Sequence, residues 1–171
     1  TEHDQHIEVD TGVLRFIVRK TRFNFIDQAW LKTGDKSEQK IVASDGEAGV
    51  RLIDWQKNTY WSGNDPNCKV VIEEQGPLRA VVHAKGHYVD DSGKPFCQWH
   101  IRIHAFAGKS ELRIFHTFIF AGDPEADLIR DVSLHLPLHF VGKKQERYWS
   151  AMLDDDLYSA PVHSSSPRKY V

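Results

Sequence analysis

The sequence predicts an all-β chain, an antiparallel β-sandwich with little helix, and three observations predict it. Apolar residues recur at every second position over long runs, helical periodicity is nearly absent, and turn clusters rich in Gly, Asp, Asn and Pro separate the runs at short intervals. The clearest alternation spans Leu78–Val89, Phe96–Ala107 and Glu111–Phe120, parted by Asp90-Asp91-Ser92-Gly93-Lys94-Pro95 and by Gly108-Lys109. The second gap suits a two-residue hairpin with glycine at positive φ. Closed at Ala107/Ser110, it sets Ala105 against Leu112, Ile103 against Ile114, Ile101 against His116 and Trp99 against Phe118. In the first hairpin Val82 meets Ile103, Ala84 meets Ile101 and Gly86 lies under Trp99. A one-residue slip would turn every one of these side chains to the wrong face, so the pattern itself sets the register.

The remaining elements follow in order. His6–Asp10 and Val13–Lys20 alternate around Thr11-Gly12 and read as an early hairpin. Arg22–Leu31, with Phe23, Phe25, Ile26 and Trp30, continues the meander, and the polar stretch Lys32–Gln39 reads as a loop. Ile41–Val42, Val50–Trp55 and Thr59–Trp61 are short strands broken by Asp45-Gly46 and by Gly63-Asn64-Asp65-Pro66. Lys69–Glu74 turns through Gln75-Gly76-Pro77 into the three-stranded run. After Gly122-Asp123-Pro124, Leu128–Phe140 alternates again, and Pro137 marks an edge or bent strand. From Ser159 the composition is that of a linker. The expected organisation is a sandwich over 1–158 and a linker-like tail over 159–171.

With 171 residues the chain can bury the core of one domain. Lys plus Arg (22) nearly balances Asp plus Glu (24), giving a net charge of −2; neither nucleic acid nor a membrane is expected as a partner. Two cysteines are too few for a disulfide scaffold. Cys97 faces the core and Cys68 opens a strand about two ladders away, so both are expected reduced and apart.

The reverse face of the three-stranded run gathers His83, Lys85, His87, His100, Arg102, His104 and Arg113, with Gln98 and Thr117. The plain reading is the wet side of an antiparallel sheet. The functional one is a cationic surface with apolar borders (Val81, Val89, Phe96, Phe106, Phe115, Ile119) that would suit an anionic sugar or another carboxylate ligand. A metal is not expected there: His83/His87 and His100/His104 lie roughly 13 Å apart along a strand, and cross-strand pairing sets His83 opposite Arg102 and His100 opposite Lys85. His116, on the apolar face, reads as a core histidine with a backbone partner. Asp154-Asp155-Asp156 reads as a solvated triplet. Trp99 belongs to the core, while Trp55, Trp61 and Trp149 flank polar turns where packing and sugar stacking are both open. There is no nucleophile elbow, phosphate loop or Cys-x-x-Cys, and no cofactor is expected.

The segments Val9-Asp10-Thr11-Gly12-Val13-Leu14-Arg15-Phe16 and Glu111-Leu112-Arg113-Ile114-Phe115-His116-Thr117-Phe118-Ile119-Phe120, with Gly122-Asp123-Pro124 and Ile129-Arg130-Asp131-Val132, resemble the β-sandwich portion of fungal rhamnogalacturonan exolyases (polysaccharide lyase family 26) and their bacterial relatives. The resemblance implies a sandwich of the galactose mutarotase-like supersandwich type, preceding a large α/α toroid that 171 residues cannot include. It also implies an acidic pectin-type polysaccharide as substrate, β-elimination as the reaction of the parent protein, and a secreted or periplasmic location. No catalytic residue is carried over from it.

The chemistry has a physical basis. β-Elimination in a uronic-acid polymer needs a cation to neutralise the C5 carboxylate and a base to take the acidified proton. Arginine and lysine supply the first, and histidines held neutral by neighbouring cations supply the second. An open sheet face lacks the second wall that would exclude water, so the chain by itself is expected to bind rather than to turn over. The alternatives are a sugar-binding or aldose epimerase-like sandwich, and a docking face for an α/α toroid.

Overall fold

The computed structural model describes residues 1–34, 37–43, 47–139, 148–153, 156–161 and 168–170. Their strands are β1 (His6–Asp10), β2 (Leu14–Arg19), β3 (Gln28–Lys32), β4 (Glu38–Val42), β5 (Gly49–Asp54), β6 (Thr59–Trp61), β7 (Lys69–Gln75), β8 (Arg79–Val89), β9 (Pro95–Phe106), β10 (Leu112–Ile119), β11 (Ile129–His135), β12 (Tyr148–Leu153), β13 (Asp156–Pro161) and β14 (Arg168–Tyr170). A single 3-10 turn, Ser62–Asn64, is the helical content among the described residues. The all-β prediction is therefore borne out.

Two compact units divide the chain, 1–138 and 139–171. In the first, a four-stranded sheet, β1-β2-β3-β4, accompanies a seven-stranded sheet, β10-β9-β8-β6-β5-β11, to which β7 is added through β8. Ile7, Phe16 and Val18 of the smaller sheet and Val82, Ala84, Tyr88, Trp99, Ile101 and Ile103 of the larger one join one buried cluster. Each strand that contributes alternates, since successive side chains point to opposite faces and only one face meets the core. The second unit is a meander in the order β12-β13-β14. Residue 159, where linker composition begins, falls inside β13. Phe140, Asp154, Asp155 and Ser164–Pro167 lie outside the described residues.

The predicted registers hold. Ala105, Ile103, Ile101 and Trp99 oppose Leu112, Ile114, His116 and Phe118, and Val82, Ala84 and Gly86 oppose Ile103, Ile101 and Trp99. Gly108 has φ 73°, as the tight hairpin requires. A tether between hairpins locks that turn in place: Thr11 Oγ1 donates to Lys109 O at 2.7 Å, and Gly108 N donates to Thr11 O at 2.7 Å. Cys68 and Cys97 are both free thiols, as expected.

Three details differ from the sequence reading. The ladder between β8 and β9 shifts register at His87/Tyr88, with Cys97 at φ 47°; this bulge pairs Phe96 with Tyr88 and turns it onto the core, away from the reverse face. The loop expected over Lys32–Gln39 gives way to strand at Glu38. His116 finds a side-chain partner rather than a backbone one, its Nε2 lying 2.9 Å from the Tyr88 hydroxyl. That end of the ring is tucked against buried Tyr88, and burial lowers its pKa although the residue as a whole is exposed.

Candidate functional site

The reverse face of β8, β9 and β10 assembles as the alternation requires. Register pairs His83 with Arg102 and Lys85 with His100, and Arg113 with His104 and Thr117 with His100. All of these side chains therefore share one side of the sheet, opposite the core positions between them. His87 lies on the same side, with its ring nitrogen Nδ1 3.8 Å from Asp65 and its backbone N–H donating to Asp65 Oδ2 at 2.7 Å.

Direct cross-strand pairs are not the whole geometry. On the diagonal, His83 Nε2 and His100 Nδ1 approach to 3.3 Å, with ring centroids 5.3 Å apart. One nitrogen must carry the proton and the other accept it, so at least the accepting ring of the pair is a neutral imidazole. Desolvation, followed by the positive field of Arg102 for His83 and of Lys85 for His100, lowers both pKa values. His104 is lowered by burial and then by Arg79. The expectation that cations would keep these rings neutral holds in direction, but burial is the larger cause.

The face also holds a carboxylate contributed by a fourth strand. β7 runs Val70-Val71-Ile72-Glu73-Glu74, and its ladder with β8 shifts register between Ile72 and Glu74. Val71 opposes His83, so Glu73, two residues on, lies on the histidine face, where its carboxylate receives Arg102 Nε at 2.7 Å and Arg102 Nη2 at 3.0 Å, with His83 Nδ1 at 3.6 Å. Arg102 holds the Glu73 carboxyl below the usual carboxylate range. The cations of the face consequently differ: Arg102 is already forked onto a carboxylate, whereas Arg113 lies over the Phe106 ring at 6.0 Å.

Apolar groups border the patch. Phe115 stands beside His104 with centroids 5.0 Å apart and is half exposed, as is Val71. Val81 and Val89, on the same side, are buried. Within this ring of groups His104 Nε2 is sealed from water without a hydrogen-bond partner. Buried imidazole nitrogens are seldom left so, which singles out His104 as a group in need of an acceptor or donor.

Farther along the same sheet is a cluster the sequence reading did not assemble. Asp131, Ser133 and His135 occupy alternate positions of β11, and Ser133 faces Arg51 of β5, which in turn faces Trp61 of β6. Ser133 Oγ lies 2.7 Å from Asp131 Oδ2 and 3.1 Å from His135 Nε2, and Arg51 Nη2 reaches Asp131 at 3.2 Å. Trp61 meets the His135 ring edge-on at 5.1 Å and the Arg51 guanidinium at 5.7 Å. The signal was the Asp-x-Ser-x-His alternation, whose partners are remote in sequence.

Fold and face together define a β-sandwich domain with one cation-rich, hydrogen-bonding side. The model of the PcRGLX-like protein central beta sandwich domain matches residues 1–164, and the chain belongs to that rhamnogalacturonan lyase-like family. It is also similar to the uncharacterized protein YetA of Bacillus subtilis (strain 168), 25% identical over 179 residues that cover 99% of this chain and 20% of the relative. The chain thus spans about a fifth of the length of that curated relative. No solved structure matches it.

Proposed function

We propose that the histidine face of β8–β10 binds acidic, uronate-containing oligosaccharide of the rhamnogalacturonan or pectin type, as the sandwich part of a protein that cleaves such polymers by β-elimination. The observation that carries this reading is the side-by-side placement of guanidinium and ammonium groups with neutral imidazoles on one rigid sheet. Arg113 and Lys85 can neutralise a C5 carboxylate, as can Arg102 once it leaves Glu73, and doing so acidifies the neighbouring proton. His83, His100 or His104, neutral near pH 7, can accept a proton or a sugar hydroxyl. His87 completes the set at the Asp65 end.

A docking role for the same face is the second reading, favoured by the exposed Val71 and Phe115 at its border. The occupant would be an acidic surface of an α/α toroid in the parent protein. Calorimetric titration with galacturonate-containing and neutral oligosaccharides separates the two. The proposal expects weak, salt-sensitive binding of the acidic series, on the order of millimolar for an open face, weakened by Arg113→Ala. Equal affinity for both series leaves the docking reading. With either result the chain alone is expected to produce no unsaturated uronate, because a single sheet face supplies neither enclosure nor subsites.

A further inference from the structure

We propose that His3, His6 and Glu8 form a binding site for a divalent transition-metal ion on the N-terminal hairpin, apart from the saccharide face. The backbone builds the site. His3 N donates to His6 O at 2.8 Å, Glu2 bridges to Ile7, and Glu8 N donates to Thr1 O at 2.9 Å, which makes residues 1–8 a hairpin with Asp4-Gln5 at its tip. His3 and His6 are its closing pair, and Glu8, two residues beyond His6, projects to the same side. Ile7, on the other side, is fully buried in the core and anchors the hairpin.

The outcome is three ligand atoms of the right kinds in one place. A ring nitrogen of His3, one of His6 and a carboxylate oxygen of Glu8 all lie within 4.8 Å of one another. The two imidazoles are stacked, with centroids 4.5 Å apart and planes inclined by 25°. A metal bound at about 2.0–2.2 Å from each donor would draw these atoms together by small rotamer adjustments. Two imidazoles and one carboxylate favour zinc, cobalt, nickel or copper, whereas calcium and magnesium prefer an all-oxygen shell. His3 is exposed, so the solvent side can take water as further ligands.

Neighbouring charge does not preclude the site. Arg15 Nη1 lies 3.7 Å from Glu8, but its Nε and Nη2 are engaged by Glu38 and its guanidinium stacks on Trp30 at 3.9 Å. The other imidazole pair, His83 and His100, has a different setting: the carboxylate beside it is occupied by Arg102.

The test is titration of the 171-residue chain with Zn²⁺ by calorimetry and with Co²⁺ by visible absorption, in a non-chelating buffer at slightly alkaline pH. The proposal expects one equivalent bound and perturbed ring resonances of His3 and His6. His3→Ala, His6→Ala and Glu8→Gln should each weaken binding at least about tenfold, given that losing even an outer-sphere partner of a metal costs about 10- to 100-fold. His83→Ala should leave it unchanged, and Ca²⁺ and Mg²⁺ should not compete. Absence of stoichiometric binding, or binding that survives His3→Ala and His6→Ala with unchanged affinity, overturns the proposal. Glu8→Gln preserves side-chain shape, so its loss of affinity cannot be ascribed to a misfolded hairpin.

Discussion

Replacing Gly86 by alanine should be among the most damaging single-methyl additions to this domain. Gly86 sits opposite Trp99 on the core side of β8. A Cβ built there would meet Asp65 Oδ2 at 2.5 Å, Trp99 Cζ2 at 2.9 Å and Cys68 Cβ at 3.2 Å. None of the three can retreat cheaply. Trp99 is fully buried, and its indole N–H is held by His87 O at 2.8 Å. Asp65 is itself buried and accepts the backbone N–H groups of His87 and Asn67. Overpacking costs about 1–3 kcal/mol, and loosening a hydrogen bond to a charged acceptor adds about 1.5–3 kcal/mol. The expected loss is about 3–5 kcal/mol, which for a domain of this size lowers the melting temperature by roughly 6–20 °C. Urea titration followed by circular dichroism and tryptophan fluorescence measures it. Gly34→Ala is the control, since a Cβ there meets nothing within 4 Å. A Gly86→Ala protein within about 0.5 kcal/mol of the parent, the range of an ordinary surface change, would refute the packing argument.

Three further outcomes follow from the same geometry. Ser62→Ala should destabilise by about 1–3 kcal/mol in the same assay, because Ser62 Oγ donates to Phe23 O at 2.8 Å and accepts from Val50 N at 3.1 Å in a fully buried position. Glu73→Gln should tighten binding of acidic oligosaccharide by roughly two- to fivefold, since it frees Arg102 from its fork; unchanged affinity by calorimetry would show that Arg102 takes no part. Stability should fall on acidification: His83, His100, His104 and His135 have pKa values below the ordinary 6.5, so the unfolded chain binds more protons than the folded one once the pH drops below about 6.5. Their contribution is present above that value and is lost as the pH falls through the lowered ones; urea midpoints at a series of pH values check it, and a flat profile would contradict it.

Where sequence could be read, it was through alternation. Val82, Ala84, Ile101, Ile103 and Ile114 state their register because a slip would bury a histidine or arginine in exchange. The same rule failed at the bulge: at Cys97 it assigned Phe96 to the wrong face, because an extra residue resets the period without leaving a turn signature. The Glu73 carboxylate that engages Arg102 was missed because its face depends on β7 pairing with β8, Val71 opposite His83, a register that the alternation of β8–β10 does not fix. The His83–His100 contact was missed for a related reason: it is diagonal, and strict cross-strand pairing considers only directly opposed residues. The cluster of Arg51, Trp61, Asp131, Ser133 and His135 depends on β5, β6 and β11 being neighbours, a matter of topology that no local pattern encodes.

The central claim, that the histidine face receives an acidic saccharide, is tested most directly by nuclear magnetic resonance titration of the chain with a galacturonate-containing oligosaccharide. Ring resonances of His83, His100 and His104 and the guanidinium of Arg113 should shift together, the shifts should grow as pH falls from 7 toward 6 because a bound carboxylate favours protonated imidazole, and a neutral oligosaccharide of equal length should leave them in place. Shifts confined to other surfaces, or equal shifts with the neutral sugar, would contradict it.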